Sequence, residues 1–316
     1  MIRAGWLGAQ EDAMTPPSDL ERFYGYVRGF EVAYLADVWS GVADAFSPDA
    51  RHVVANGGAL LGADDRGQDA VVAGLRAAVN ALDRRFDARL VEIVAGPELR
   101  PEGVWMRFAV GMRRAGLPEL RFEGDHLAVY ADGRIRLLEE TLEPGAGERV
   151  DAFLREHGAA LRAPGSAFAP IPDPRDQREL DAGVARSLAR CYAAAKSVRD
   201  AGAALAVCAD DFALETPAFG TASRGRAETA AQLAAFFTVF PDYRVAYEGI
   251  TGDGAHVAGW GRAQLTFAGA FGALAPTGKT AEIPFTAIFD VAGGVLRRER
   301  FGIDLAQLCE QIGVPV

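Results

Sequence analysis

The feature that most constrains the fold of this chain is an internal repeat of its turn and helix-boundary residues. Four landmarks recur in the same order, 155 to 161 residues apart: Arg66-Gly67 as Arg224-Gly225, Asp87 as Asp242, Gly133 as Gly294, and Gly158 as Gly313. Offsets that vary by only a few residues are expected from a duplicated domain whose loops changed length slightly. The repeat therefore predicts two similar modules in tandem.

Each module is predicted to place its helices before a run of antiparallel strands. In the first module, apolar residues recur at helical spacing over 20–38 and again over 72–82. Strand-like segments follow over 86–142, and in one of them, 104–112, apolar side chains alternate with others, as a sheet with two different faces requires. This order is typical of an α+β fold. We expect each mainly antiparallel sheet to curve around its helices into a cone with an apolar pocket inside.

Stretches rich in proline and glycine suggest where the modules begin and end. Pro16-Pro17 ends a loose N-terminal segment, and the stretch RAPGSAFAPIPDPR lies between the two copies of the repeat. The predicted divisions are a leader at 1–17, a first domain at 18–161, a linker at 162–175 and a second domain at 176–316.

Charge and composition exclude several classes of protein. The chain has 316 residues and a formal net charge of −10, which disfavours nucleic acid or an anionic membrane as a partner. Three widely spaced cysteines, Cys191, Cys208 and Cys309, form no metal-binding or disulfide pattern. No segment has the length and apolar character of a signal peptide or a membrane span. We therefore expect a cytoplasmic protein without a metal or cofactor.

The second half of the chain resembles a known family. The motifs that match are FPDYRV (Phe240–Val245), Trp260-Gly-Arg262, GAFGALAPTGK (Gly269–Lys279), and an ending with Asp304, Leu308, Gln311, Ile312 and Gly313. Together they resemble the SnoaL-like polyketide cyclases, which belong to the ketosteroid isomerase / nuclear transport factor 2 superfamily of α+β cones. The first half matches only in outline, through the repeat.

The resemblance implies a carboxylate base inside an apolar cone, where burial raises its pKa toward neutrality. In the second domain the positions that carry polar catalytic groups in relatives hold Thr216, Phe267 and Phe301 instead. Phenylalanine cannot transfer a proton, so catalysis is not expected there. We expect six residues to line a ligand pocket in this domain: Thr216, Phe237, Trp260, Phe267, Glu299 and Phe301. Glu299 could act in this cone, but a salt bridge with Arg262 or Arg298 is the favoured interpretation.

The same position in the first domain keeps a carboxylate. Glu140 stands seven residues after Gly133, as Phe301 does after Gly294. The functional hypothesis makes Glu140 the acid–base group, with Asp125 or His126 on the neighbouring strand as its partner. The alternative is a solvated acidic strand edge, because adjacent acidic residues on a strand point to both faces. His52 is interpreted as a structural histidine beside a strand.

Two functions stay open from the sequence. The first is a cofactor-independent cyclase, isomerase or hydrolase that binds a small apolar carbonyl-containing metabolite, with any acid–base chemistry in the first domain. The second is a non-catalytic ligand-binding or assembly protein, in which the two cones form an internal pseudo-dimer. A homodimer of the whole chain is compatible with both hypotheses.

Overall fold

The computed structural model describes residues 16–171 and 173–315. The predicted leader therefore lies outside the described residues, apart from Pro16 and Pro17. The α-helices of the described part are α1 (Asp19–Ala36), α2 (Ser40–Ala45), α3 (Gly58–Leu61), α4 (Gln68–Ala81), α5 (Ala146–His157), α6 (Pro174–Ser197), α7 (Ala201–Ala206), α8 (Arg226–Val239) and α9 (Leu305–Ile312).

The strands form two six-stranded sheets. Those of the first sheet are β1 (Phe46–Ala55), β2 (Ala63–Arg66), β3 (Ala88–Arg100), β4 (Gly103–Arg113), β5 (Leu120–Ala131) and β6 (Arg134–Leu142). Those of the second sheet are β7 (Cys208–Thr216), β8 (Thr221–Arg224), β9 (Arg244–Gly252), β10 (His256–Thr266), β11 (Thr280–Ala292) and β12 (Val295–Ile303).

The two sheets have the same topology. Their strand orders are β2-β1-β6-β5-β4-β3 and β8-β7-β12-β11-β10-β9. In each sheet a single pair is parallel, β1 with β6 and β7 with β12, and the other pairs are antiparallel. This confirms the predicted α+β class and the tandem arrangement. The domain boundaries at 18–161 and 176–316 stay a prediction.

The first helix is shorter than its apolar pattern predicted. Ser18 caps α1 by accepting a hydrogen bond from the backbone N–H of Glu21 at 3.1 Å. The pattern continued to Val38, but Asp37 adopts a left-handed conformation with φ 57° and ends the helix. The Asp37 carboxylate accepts a hydrogen bond from the Trp39 indole at 2.8 Å. This local bond gives the chain an alternative to another helical turn.

Helix α6 connects the two domains. Its N-terminal half lies along the free edge of β3, where Ser187 Oγ accepts a hydrogen bond from the Ile93 N–H at 2.9 Å. Its C-terminal half packs on the second sheet, where Ser197 Oγ accepts from the Val245 N–H at 3.1 Å. The buried apolar residues of both sheets form one connected cluster. The two sheets therefore share a continuous core around this helix.

No helix within the two described ranges is long and apolar enough to span a membrane.

Candidate active site

Glu140 lies on the face of the first sheet that the helices cover, which we call the inner face. On β6 it alternates with Leu138 and Leu142, both buried, whereas its neighbour Glu139 lies on the opposite, outer face and is exposed. Period-two alternation along a strand therefore separates the two acidic residues. Although it lies on the inner face, the Glu140 side chain is 23% exposed and is therefore still reached by solvent.

His126 is the cross-strand neighbour of Glu140. The two residues are directly opposite in the β5–β6 register, and His126 Nδ1 lies 3.6 Å from Glu140 Oε1. The imidazole is buried between aromatic rings of α1, with the centroids of Phe23 and Tyr26 at 5.5 and 6.0 Å. Burial, with a smaller contribution from nearby His52, lowers the pKa of His126 from 6.5 to about 3. The ring is therefore neutral at pH 7.

The environment of Glu140 favours its protonated form. Burial raises the pKa of its carboxyl group above the ordinary 4.5, and a neighbouring positive charge on His52 would oppose this shift. The contact with His126 supplies no permanent charge, because that imidazole is neutral. A carboxyl group whose pKa moves toward neutrality is suited to general acid–base work.

A second imidazole–carboxylate pair lies on the same inner face. His52 on β1 is directly opposite Asp65 on β2, and His52 Nδ1 lies 3.5 Å from Asp65 Oδ2. His52 is opposite Leu138 in the β1–β6 register, two positions before Glu140. The four side chains Asp65, His52, Glu140 and His126 thus run across four neighbouring strands, and we call them the polar row.

The other predicted partner of Glu140 lies elsewhere. Asp125 is on the outer face of β5, where its carboxylate accepts a hydrogen bond from Arg107 at 3.3 Å. Because successive strand residues point to opposite faces, Asp125 and His126 cannot both reach the inner side. The structure brings Glu140 together with His126 and not with Asp125.

The second domain has none of these groups at the same strand positions. Phe301 stands where Glu140 does relative to the last turn, and its cross-strand partner is Ala287. Leu214 and Ser223 are paired in the way that His52 and Asp65 are. The polar row Asp65, His52, Glu140 and His126 thus corresponds to Ser223, Leu214, Phe301 and Ala287.

The one buried carboxylate among the predicted residues of the second domain is paired with a cation. Glu299 on β12 is 2% exposed, and Lys196 Nζ donates a hydrogen bond to each of its two oxygens at 2.8 Å. The favoured salt bridge to Arg262 or Arg298 was wrong. Those arginines lie on the outer face, where Arg262 approaches Glu282 and Arg298 approaches Asp290.

Aromatic rings surround this buried ion pair. Lys196 Nζ lies 4.8 Å from the ring centroids of both Tyr192 and Phe301, and 6.0 Å from that of Tyr243. These distances are in the range of cation–π contacts. Within the described part of the chain, the buried hydroxyls of Tyr192 and Tyr243 have no hydrogen-bond partner. The ammonium group of Lys196 is therefore enclosed by these rings and by the carboxylate of Glu299.

The remaining pocket predictions divide between the two faces of the second sheet. Thr216, Phe237, Phe267 and Phe301 are buried in the core. Trp260 is 45% exposed and lies on the outer face of β10, so it does not line the interior. Its ring crosses β9 above Gly249, where a Cβ atom would lie 2.1 Å from the indole. The absence of a side chain at Gly249 lets the ring lie flat on the outer face.

Two cavities lie outside both cones. One of about 250 Å³ lies between α6 and the outer face of β3 and β4, and its lining includes Glu92, Arg113 and Arg186. The other, of about 440 Å³, lies between α2 and α4 beside Trp39. Neither is lined by Glu140 or Glu299. Within the described ranges, no three His, Cys, Asp or Glu side chains converge as metal ligands.

Sequence reasoning missed Lys196, His52 and Asp65. Lys196 lies near the end of a long helix, and only the packing of that helix directs it at Glu299. His52 and Asp65 stand on adjacent strands, so their contact depends on register. A usable signal was available for His52, because it alternates with Ala50 and Val54 along a strand with a buried face.

The second half of the chain is similar to a known family. The family model described as SnoaL-like polyketide cyclase matches residues 186–312. A search among curated proteins found no match. Similar solved structures include a putative SnoaL-like polyketide cyclase from Jannaschia Sp. CCS1, with 18% identity and a TM-score of 0.40 over 47% of this chain and 100% of that chain. Another is a putative polyketide cyclase from Xanthomonas campestris pv. campestris, with 25% identity and a TM-score of 0.37 over 42% and 98%.

Proposed function

We propose that this chain, whose residues 186–312 belong to the SnoaL-like polyketide cyclase family, is a cofactor-independent acid–base enzyme. Its substrate would be a small apolar compound with a carbonyl group, and the chemistry would take place in the first domain. The second domain would be a structural partner that completes the core around α6.

One observation carries this proposal, the difference between two glutamates. Glu140 is on the inner face, partly exposed, and its nearest titratable group is a neutral imidazole. Glu299 is sealed from solvent, and both of its oxygens are occupied by Lys196. A base must be free to accept a proton and must be reachable by the substrate. Of these two glutamates, Glu140 meets both conditions and Glu299 meets neither.

The proposed reaction begins with proton transfer from carbon. The ionised Glu140 carboxylate would take a proton from the carbon next to the carbonyl group, and the electron pair of the C–H bond would form an enolate. The apolar side chains around Glu140 favour a base with a raised pKa. His126, at 3.6 Å, would orient the carboxylate. Return of the proton to another atom gives isomerisation, and attack of the enolate on a second carbonyl gives ring closure.

Hydrogen exchange at carbon tests this function without knowledge of the substrate. The purified protein would be incubated in D₂O with 1-tetralone and other apolar bicyclic ketones, and deuterium uptake next to the carbonyl would be followed by NMR. We expect exchange above the buffer rate with at least one ketone. Glu140→Gln should lower the rate by about 100-fold or more.

A matched control is available on the same strand. Glu139→Gln removes an exposed carboxylate from the outer face and should leave exchange unchanged. No exchange with any ketone, or equal loss in both variants, would contradict the proposal.

The alternative is a non-catalytic assembly or ligand-binding protein. The sealed ion pair of the second cone and the contact of α6 with both sheets favour it. Native mass spectrometry of the purified protein separates the two functions. An apolar molecule that stays bound and is not turned over, together with no ketone exchange, would support the alternative.

A further inference from the structure

We propose that His52, held by Asp65, is a second catalytic residue of the first domain. It would act as a general acid that gives a proton to the carbonyl oxygen while Glu140 takes one from the adjacent carbon. This inference rests on the proposed function and adds a residue that the pairing of Glu140 with His126 leaves out.

The positions of His52 and Glu140 suit one carbonyl group placed between them. They lie on adjacent strands of the same inner face, two positions apart in the β1–β6 register. Strand spacing and rise per residue put their backbones roughly 8 Å apart. A carbonyl group whose oxygen contacts one side chain and whose neighbouring carbon contacts the other would span this separation. The acid and the base could therefore act on the same substrate molecule.

One ring nitrogen of His52 has no hydrogen-bond partner among the residues that the structure describes. Its Nδ1 faces Asp65, and its Nε2 is buried without any hydrogen bond. Buried polar atoms in proteins are nearly always paired, so such an atom needs an explanation. A ligand oxygen at Nε2 would satisfy it. His126 Nε2 is also buried and unpaired, so two unpaired imidazole nitrogens flank Glu140.

Asp65 determines which nitrogen of His52 faces the ligand. An ionised carboxylate accepts a hydrogen bond from Nδ1–H, which leaves Nε2 for the substrate. A glycine on α4 makes room for this carboxylate, because a Cβ atom at Gly74 would lie 2.2 Å from Asp65 Oδ2. Asp65 is therefore a positioning residue, and Gly74 permits its position.

The second domain shows that the fold does not require this pair. At the same strand positions it has Leu214 and Ser223, with the same topology and an equally buried Leu214. Ser223 instead contacts the hydroxyl of Thr229 on α8 at 3.1 Å. The His52–Asp65 pair is thus not required by the fold, and the first domain has it on the same face of the sheet as Glu140 and His126.

The proton balance of the step is complete. Protonated His52 gives its Nε2 proton to the carbonyl oxygen, the C–H electron pair becomes the enol double bond, and Glu140 receives the carbon proton. The enol O–H then donates a hydrogen bond to neutral His52. The proton on Glu140 exchanges with solvent, and in D₂O the reverse step gives a deuteron from Glu140 to the carbon while His52 takes back the enol proton, which returns both groups to their starting states. The groups that face His52 from neighbouring strands are Asp65, Glu140 and His126.

Ketone exchange tests the assignment with three variants. His52→Gln should lower the rate of deuterium uptake by about 100-fold, and Asp65→Asn should lower it and shift its pH profile. Gly74→Ala should also lower the rate and shift its pH profile, because the added methyl group moves the Asp65 carboxylate. Alanine has a higher helix propensity than glycine, so a loss of helix stability would not explain this result. Asp290→Asn is the matched control, since Asp290 lies 3.2 Å from the exposed imidazole of His256. It should change nothing.

Nitrogen NMR of the labelled protein gives a readout that does not depend on turnover. Neutral His52 should carry its proton on Nδ1 in the native protein and lose this preference in Asp65→Asn. Addition of 2-naphthol, whose hydroxyl resembles that of an enol, should shift the His52 Nε2 resonance. Circular dichroism would confirm that each variant is folded.

The outcomes separate this inference from the proposed function. If Glu140→Gln abolishes exchange and folded His52→Gln retains it, the function stands and the role of His52 is wrong. If the native protein exchanges no ketone and 2-naphthol leaves His52 Nε2 unchanged, both are wrong. If the variants at 52, 65 and 74 all lose exchange while Asp290→Asn does not, the assignment is supported.

Discussion

Lys196 and Glu299 form a buried ion pair in which one ammonium group donates hydrogen bonds to both carboxylate oxygens at 2.8 Å. The pair links the C-terminal end of α6 to the last strand of the second sheet. Both side chains are almost completely removed from solvent. Loss of one partner should therefore lower the free energy of unfolding more than it would in an exposed ion pair.

Replacing one partner of the Lys196–Glu299 pair should destabilise the protein more than replacing both partners. We expect Lys196→Met or Glu299→Gln alone to cost about 3–5 kcal/mol, because each leaves a buried group without its partner. The double variant Lys196→Met/Glu299→Leu should recover most of this loss. Urea unfolding of the three variants measures the effect. Arg297→Met, which removes an exposed pair with Asp211, should cost less than about 1 kcal/mol. Single variants as stable as this control would contradict the prediction.

His126 should make the free energy of unfolding fall as the pH is lowered. Its pKa is lowered from 6.5 to about 3, so its contribution is fully present above pH 6.5 and is lost as the pH falls toward 3. The upper limit of this loss is roughly 5 kcal/mol. Glu140 has the opposite sign, because its pKa is raised and its protonation at falling pH relieves a cost.

Thermal unfolding between pH 7 and 4 tests both signs. His126→Gln should flatten the loss of stability on acidification, and Glu140→Gln should steepen it. His256→Gln, which replaces an exposed imidazole, controls for the loss of a histidine as such. Identical slopes for native protein and His126→Gln would show that this imidazole is not held neutral.

The three thiols should react only after unfolding. Cys191, Cys208 and Cys309 are all buried, and burial raises the pKa of Cys191 to about 12, although its contact with Tyr24 opposes the shift. A thiol at this pKa forms little thiolate at pH 8. Ellman's reagent should therefore label the native protein slowly and label three thiols in denaturant. Fast labelling of a folded sample would contradict the placement of these residues.

Two serines on α6 should protect one edge strand each. Ser187 accepts the Ile93 N–H of the first sheet, and Ser197 accepts the Val245 N–H of the second. Ser187→Ala should cost about 1–2 kcal/mol and speed amide hydrogen exchange at Ile93. Ser197→Ala should do so at Val245, which makes each variant the control for the other. Equal effects at both amides would indicate that α6 opens as a whole.

Local pattern was sufficient for the tandem fold because strand alternation and turn glycines are properties of neighbouring residues. Gly133 and Gly294 both have positive φ, at 74° and 72°, so the last turn of each copy could be aligned and Glu140 found by counting. Local chemistry also explains the start of α9, where the Asp304 carboxylate accepts a hydrogen bond from the Gln307 N–H at 3.0 Å.

The partners of the buried charges could not be found in this way. Glu299 has arginines beside it in the sequence, yet the strand places them on the opposite face and a lysine 103 residues away becomes its partner. The pairing of Asp65 with His52 likewise depends on a hairpin register that no local pattern defines. The exposed position of Trp260 was missed because a tryptophan between two glycines has no burial signal of its own.

The sequence by itself determined the two α+β modules, their order and the strand position of Glu140, since all of these follow from periodicity and turn chemistry, whereas the face on which Glu140 lies came from the structure. Only the tertiary structure decided which carboxylate stays free. The packing of helix α6 places Lys196 beside Glu299. Strand register places neutral His126 and the His52–Asp65 pair on the same face as Glu140. Charge compensation acts through space between residues that are far apart in the chain, so it is settled only when the helices and strands pack.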